Sequence, residues 1–503
     1  MHLTIRRRGA SLVLAGVFAT GSALAASAQT LDELKRPLLG KGHAAIALDV
    51  QARGAEIRSV DIFTGSTSYY RPRLALFPQV AFGLAPNLEM RIDLVGQVPT
   101  TYSHPQPFSW AYNREKYGLL TADAAIAFRP ASTLEMTATL GLGRARGEGA
   151  YAHSISSDGG YRAKYRAAVA ALGVTWLPGL KSGNLPLRAD LDGLHRPLMP
   201  ARRWRIDGEA QWRSYRQTSA DWYDPIPDYV ETTIASRDAR VRMGAACGLG
   251  RGFEARADAY WHPPFAMTGS TTTFCPRCGD TAPRTRDESH RYHGAFGTAV
   301  RASWRIGRAE ASAGGTWERQ ETTREGRPGA AYARQFDTGS IRVEGTWLSR
   351  RPRRTIDRRG LGGFDRPLVE RGQVKVDTGW HHRRHRASRF SADDTDMAFM
   401  WLGATAGLSS SIEAGGHVGR RFARHYPSHG GYERRTTSGA QVTLRPNEAV
   451  QLEAAFDLTP RGWVDRFPMF VLGLHDSLGY YETFRADSLA GDRNSRVGVR
   501  IMW

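Results

Sequence analysis

Two cysteines three positions apart, in Cys275-Pro276-Arg277-Cys278, stand upstream of His290 and His293. The order C-x2-C and then H-x2-H has the outline of a zinc site, where two thiolates and two imidazoles close a tetrahedron. One cysteine pair without a second matched pair is weak support for a metal. In an exported chain such a pair is more often oxidised, so Cys275 and Cys278 read as a disulfide and no metal or other cofactor is expected. Cys247, the third cysteine of the chain, stands alone in an alternating stretch and reads as structural. His381, His382 and His385 interleave with Arg383, Arg384 and Arg386, which suits a solvated basic loop better than a ligand set. His475 and Ser477 lie two positions apart, but nothing in the pattern orients them as base and nucleophile. No G-x-S-x-G motif occurs, and the chain is not expected to be an enzyme.

The charged residues carry more information. There are 69 Lys+Arg against 49 Asp+Glu, and arginine supplies nearly all of the excess. Arginine presents a planar fork that fits carboxylates and phosphates. Within alternating stretches the charges keep to one face: Glu89, Arg91 and Asp93 alternate with Leu88, Met90, Ile92 and Leu94. On the same pattern the polar face takes Glu135, Arg205, Arg213, Glu254, Arg256, Asp258, Glu310, Arg342, Glu413, Glu453, Arg496 and Arg500. Glu89, Glu254 and Glu413 each follow a short turn, and Glu135, Glu310 and Glu453 are read as the matching place in the next hairpin. Two roles fit these positions. One is a carboxylate ring with arginines above it, sorting ions by charge. The other is a ladder of cross-strand ion pairs holding strands in register.

Exported context comes from residues 1–28. Arg6, Arg7 and Arg8 precede the apolar run beginning at Ser11, and Ala26-Ser27-Ala28 ends it as a small-residue cleavage site, the layout of a signal peptide. No later apolar run is long enough for a membrane-spanning helix. A leader, and the lack of a basic helix, argue against nucleic acid as the partner of this basic chain.

Three segments begin alike: LDELKRPL at Leu31, LDGLHRPL at Leu191 and LGGFDRPL at Leu361. They divide the mature chain, 29–503, into internal repeats over 31–190, 191–360 and 361–503. Period-two alternation gives six strands per repeat and eighteen in all, with sixteen or twenty as alternatives because Met469–Tyr481 could hold another pair. Short turns such as Ala85-Pro86-Asn87 and Gly250-Arg251-Gly252 alternate with long polar stretches, among them Pro99–Lys116, Thr218–Ser236 and Pro263–Ser289, read as loops. Long connections on one side only suit a closed barrel better than a sandwich.

The chain thus resembles the bacterial outer-membrane β-barrels of the porin-like class. The GLAPNLE hairpin of Gly83–Glu89 and a final alternating strand ending on the aromatic Trp503 carry that likeness. The resemblance implies an all-β fold, a single closed antiparallel transmembrane β-barrel in the outer membrane of a Gram-negative-type bacterium. Its partners would be membrane lipid, lipopolysaccharide and the barrel-insertion machinery, which would engage the C-terminal strand at Trp503. A barrel of this size leaves an aqueous channel unless something fills it. Diffusion of small hydrophilic solutes, anionic ones favoured by the arginines, is the leading expectation. An export pore for an anionic polysaccharide, or a non-conducting scaffold binding a periplasmic partner, are the alternatives.

Overall fold

A backbone that crosses hydrocarbon must satisfy every N–H and C=O from within, and a strand can do so only with a neighbour on each side. A computed structural model describes residues 38–61, 65–104, 113–153, 157–179, 198–224, 228–276, 280–325, 332–350, 368–387, 395–425, 432–457 and 493–502. Among these residues no helix is long and apolar enough to cross a membrane; the regular elements are strands.

The first eight are β1 (Ala44–Asp61), β2 (Gly65–Ala85), β3 (Leu88–His104), β4 (Asn113–Ala131), β5 (Leu134–His153), β6 (Ser157–Trp176), β7 (Trp204–Asp224) and β8 (Asp228–Gly250). Next come β9 (Phe253–His262), β10 (Phe265–Phe274), β11 (Arg284–Ile306), β12 (Ala309–Glu325), β13 (Tyr332–Leu348) and β14 (Val374–Ala387). The last are β15 (Thr395–Gly407), β16 (Ile412–His425), β17 (Tyr432–Asn447), β18 (Val450–Asp457) and β19 (Arg493–Met502). β9 and β10 both pair with β8 on one side and β11 on the other, so they are two pieces of one stave. Pro263-Pro264 separates them, where two successive residues have no N–H to offer a ladder. Opposite the break, β11 bulges between Tyr292 and Gly294.

Nineteen segments therefore make eighteen staves, each antiparallel to its neighbours in sequence order, and β19 pairs with β1 from Ala45↔Met502 to Gly54↔Arg493. The wall is closed, and the count is the one the alternation predicts. Since β18 pairs directly with β19, no strand from 458–492 is needed for closure. Met469–Tyr481 lies outside the described residues, as does the signal segment.

The outer face is apolar over a band about nine residues long. Leu140, Leu142, Leu172, Met243 and Val300 are among the most exposed large apolar side chains of the described residues, an arrangement water would penalise and lipid does not. Trp176, Trp204, Trp304 and Trp347 mark the band near the short turns. Trp212, Trp261, Phe296 and Trp317 mark its other edge, with Phe296 and Trp317 in edge contact at 6.3 Å. From Trp204 to Trp212 is eight steps of about 3.3 Å, or roughly 20 Å of height after a 40° tilt, close to the apolar band of an outer-membrane barrel. The protein is accordingly a transmembrane β-barrel of the outer membrane, with the short turns on the periplasmic side.

The strands outrun that band. β7 and β8 continue through 218–224 and 228–236, β3 and β4 reach His104 and Asn113, and β10 with the first residues of β11 occupies much of 263–289. The stretches expected to be long loops are instead mostly paired strand. Alternation of apolar and polar residues ends where the lipid ends, but backbone pairing does not. Thr272 hydrogen-bonds Thr285 at 3.0 Å and Arg319 pairs Asp337 at 2.9 Å in this extension.

Inside, large side chains lie across glycines of the next strand. A Cβ on Gly379 would fall 2.1 Å from Cζ2 of Trp401. The Gly379→Ala variant is expected to displace that ring and destabilise the barrel by about 1–3 kcal/mol, measured by urea unfolding in lipid vesicles.

Candidate functional site

Alternation places one residue in two on the inside of the wall, and in this chain those residues are chiefly Arg, Asp, Glu, Thr and Gly. The lowest layer, at the short-turn end, contains Glu89, Glu254 and Glu413, which are only 2%, 2% and 1% exposed. Each carboxylate accepts a backbone N–H from the chain segment entering the barrel: Leu39 to Glu89 at 2.8 Å, Met199 to Glu254 at 2.7 Å and Val369 to Glu413 at 2.8 Å. Charge-assisted bonds of this kind are about twice as strong as neutral ones.

The same corner is built around Gly83, Gly248 and Gly407. Gly42, Arg202 and Gly372 donate their N–H groups to the carbonyls of these glycines, whose own N–H groups go to the carbonyls of His43, Arg203 and Gln373. The donating residues are left-handed, at φ 80°, 58° and 73°, and only Arg202 carries a side chain there. A Cβ on Gly248 would lie 2.0 Å from the carbonyl oxygen of Pro200, so the entering chain presses on the wall where no side chain fits. Leu39, Leu198, Met199 and Val369 are buried as a result.

Across the adjacent short turns lies a second set of contacts. Arg129 donates Nε–H to Glu135 at 2.7 Å, and Arg305 pairs with Glu310 in the same way at 2.9 Å. Arg445 reaches Gln451 at 3.2 Å, so Gln451, rather than Glu453, holds the place of Glu135. Glu453 sits two residues further along β18, opposite Thr443. A pattern of Arg and Glu or Gln five or six positions apart, flanking a tight turn, is the sequence signal for these pairs.

Higher in the wall the ion pairs become a network. Arg91 binds Asp93 at 2.9 Å, and Gln79 also donates to Asp93. Arg256 grips Asp258 with Nε at 2.7 Å and Nη2 at 2.8 Å, and reaches Asp207 at 3.2 Å. Arg205 joins Asp207 at 3.0 Å, and Arg242 joins Asp258 at 3.1 Å. Arg213 and Asp238 form a buried pair at 2.6 Å. Further along the same wall Arg342 donates to Glu344 and lies over the Trp401 ring, 6.0 Å from its centroid. Lys375 binds Asp377 at 3.3 Å. Arg500 is half-buried on β19, and Arg496 holds a polar position of that strand while its side chain lies outside the described residues.

The expected residues thus fall into separate layers. Glu89, Glu254 and Glu413 are covered by incoming chain at the periplasmic end. Arg91, Asp93, Arg205, Arg256, Asp258 and Arg342 occupy the wall above them, and Arg213 lies higher. Sequence reasoning did not single out Asp207, Asp238, Arg242, Asp377 or Glu344, which neutralise or extend this set. They alternate like the others, but nothing in the linear chain shows which strands become neighbours.

Cys275 is disulfide-bonded and Cys247 carries a free thiol; Cys278 lies outside the described residues. No group of three potential metal-binding side chains occurs among the described residues. His382 hydrogen-bonds Asp396 and stacks on Trp380 at 5.8 Å. It therefore belongs to strand β14, where a basic loop was expected.

No family model matches the chain, and no curated protein resembles it. Solved structures similar to it include the ferric yersiniabactin uptake receptor FyuA from Yersinia pestis, at 8% identity over 92% of this chain and 81% of that one, TM-score 0.48. The copper transporter OprC is similar at 10% identity over 93% and 84%, TM-score 0.44. A Pseudomonas aeruginosa FadL homologue is similar at 8% identity over 92% and 90%, TM-score 0.33.

Two outcomes follow. Glu254→Ala strands the buried N–H of Met199 and is expected to lower stability by about 1–3 kcal/mol, read from the urea midpoint in vesicles, with Glu254→Gln losing less. Arg305→Leu leaves Glu310 as an uncompensated buried charge and should cost more, about 3–5 kcal/mol.

Proposed function

We propose that the barrel conducts small hydrophilic solutes by diffusion through a charged interior, with a modest preference for anions. The observation that carries this reading is the closed eighteen-stave wall whose outer face is apolar and whose inner face is lined by Arg–Asp and Arg–Glu pairs. Barrels of sixteen to eighteen strands have room for an aqueous channel once the first layer of side chains is in place. A polar interior needs water or solute against it, because ionised groups facing a dry space would lose their hydration without return.

The preference is modest for a reason of arrangement. Most of the arginines expected to attract anions face a carboxylate at hydrogen-bond distance, as Arg256 faces Asp258 and Arg213 faces Asp238. Such pairs present dipoles rather than isolated charges, which suits polar solutes of either sign and confines selectivity to cations left in excess.

Purified protein in planar bilayers under a potassium chloride gradient is expected to give open, stable conductance with a reversal potential on the anion side. A barrel that stays closed at every voltage and salt concentration overturns the proposal. In Asp258→Asn the charges of Arg256 and Arg242 lose their common partner. One unit charge about 8 Å from a passing ion is worth about 0.5 kcal/mol in water. Its loss favours the anion and disfavours the cation by that amount each, so the anion-to-cation permeability ratio should rise about fivefold at low salt.

A further inference from the structure

The outer face holds a feature that neither closure nor conduction explains. Three arginines stand side by side on neighbouring strands: Arg144 of β5 is the register partner of Arg166 of β6, and Arg166 is the partner of Arg216 of β7. All three are exposed. The alternation of each strand puts them on the same face as Leu142, Leu172 and Trp212, that is, on the lipid side. Directly opposed residues of an antiparallel pair lie about 5 Å apart, and like charges there destabilise the sheet.

Their height is as informative as their spacing. The outward positions of β5 from Leu134 to Leu142, of β6 from Ala168 to Trp176 and of β7 from Trp204 to Trp212 are almost wholly apolar, nine residues in each case. Nine to eleven residues cross the hydrocarbon. Arg144 and Arg166 are the next outward residues beyond that span, and Arg216 follows Ser214. They therefore meet the headgroup region of the external leaflet, on the side away from the short turns. Arg146, Lys164 and Arg162 extend the row along β5 and β6, and Arg237 of β8, paired with Ser214, extends it sideways. Each of these four is exposed. Carboxylates join this outer face only beyond the Arg144–Arg166–Arg216 row: Glu148 is the register partner of Arg162, and the exposed Glu231 lies across from Ala220, the other partner of Arg162.

We infer that this patch is a binding site for lipopolysaccharide, the phosphorylated glycolipid of the external leaflet, whose phosphates lie between the guanidinium groups while its acyl chains run down the Leu140, Leu142 and Leu172 surface. Arginine suits the task because its fork binds phosphate oxygens bidentately. A row of cations just beyond the apolar band fits a ligand that carries several phosphates in the headgroup layer. The bound polyanion also removes the repulsion that the register otherwise imposes.

The test uses full-length protein extracted in detergent, depleted of lipid and titrated with rough lipopolysaccharide, with its dephosphorylated form and with phosphatidylglycerol. Wild type should retain and rebind the phosphorylated glycolipid, bind the dephosphorylated form at least tenfold more weakly, and lose retention as salt rises. The Arg144→Gln/Arg166→Gln/Arg216→Gln variant should lose at least tenfold in affinity, and Arg319→Gln, elsewhere on the outer face, should lose none. Should the triple variant fail the heat-shift assay for folded barrel, Arg166→Gln alone is expected to show a loss of about threefold. Equal affinity for phosphatidylglycerol, equal affinity for the dephosphorylated glycolipid, or an unchanged triple variant overturns the site. Bilayer conductance is independent of each of these outcomes.

Discussion

A single constraint underlies the structure: a peptide group in hydrocarbon has no water to turn to, so every strand needs two neighbours and the last must find the first. The pairing of β19 with β1 meets it. Closure then divides each strand into two chemistries. Leu140 and Leu142 can be exposed because lipid covers them, and Glu89 or Arg256 can stand in the same sheet because the other face is polar. Glycine follows from closure as well, since large interior side chains such as Trp401 must lie flat against a neighbouring strand that offers no Cβ.

At the periplasmic end the chain has to enter the wall after each long connection without leaving buried amides unsatisfied. The solution recurs at Leu39, Met199 and Val369, each giving its N–H to a buried glutamate beside a glycine that the incoming carbonyls press against. Those glutamates are fastenings of the connecting chain. The charges positioned to act on a solute stand above them, and they are largely paired, as Arg205 and Arg256 are through Asp207.

The large arginine excess is therefore distributed rather than concentrated. Inside, guanidinium groups alternate with carboxylates and contribute to register as much as to field. Outside, beyond the apolar band, Arg144, Arg166 and Arg216 align without a carboxylate among them on that row. The two faces of one sheet thus use the same side chain for opposite purposes: neutralised within the wall, and gathered where phosphate lies.

The eighteen-stave count, the lipid face and the polar face were all legible in the sequence, because each follows from a period of two and from turn residues that act locally. Leu88, Met90, Ile92 and Leu94 announce their side of the sheet without help from any other strand. The length of the strands was not legible. Past the membrane both faces become polar, and β7 and β8 persist through backbone pairing with each other and with β6 and β10 on either side. Nor could the sequence show that Glu453 yields its expected place to Gln451, or that Asp238 answers Arg213 from 25 residues away. Which face a residue takes is a property of its own strand; which charge it meets depends on the neighbouring strand, and only the closed wall decides that.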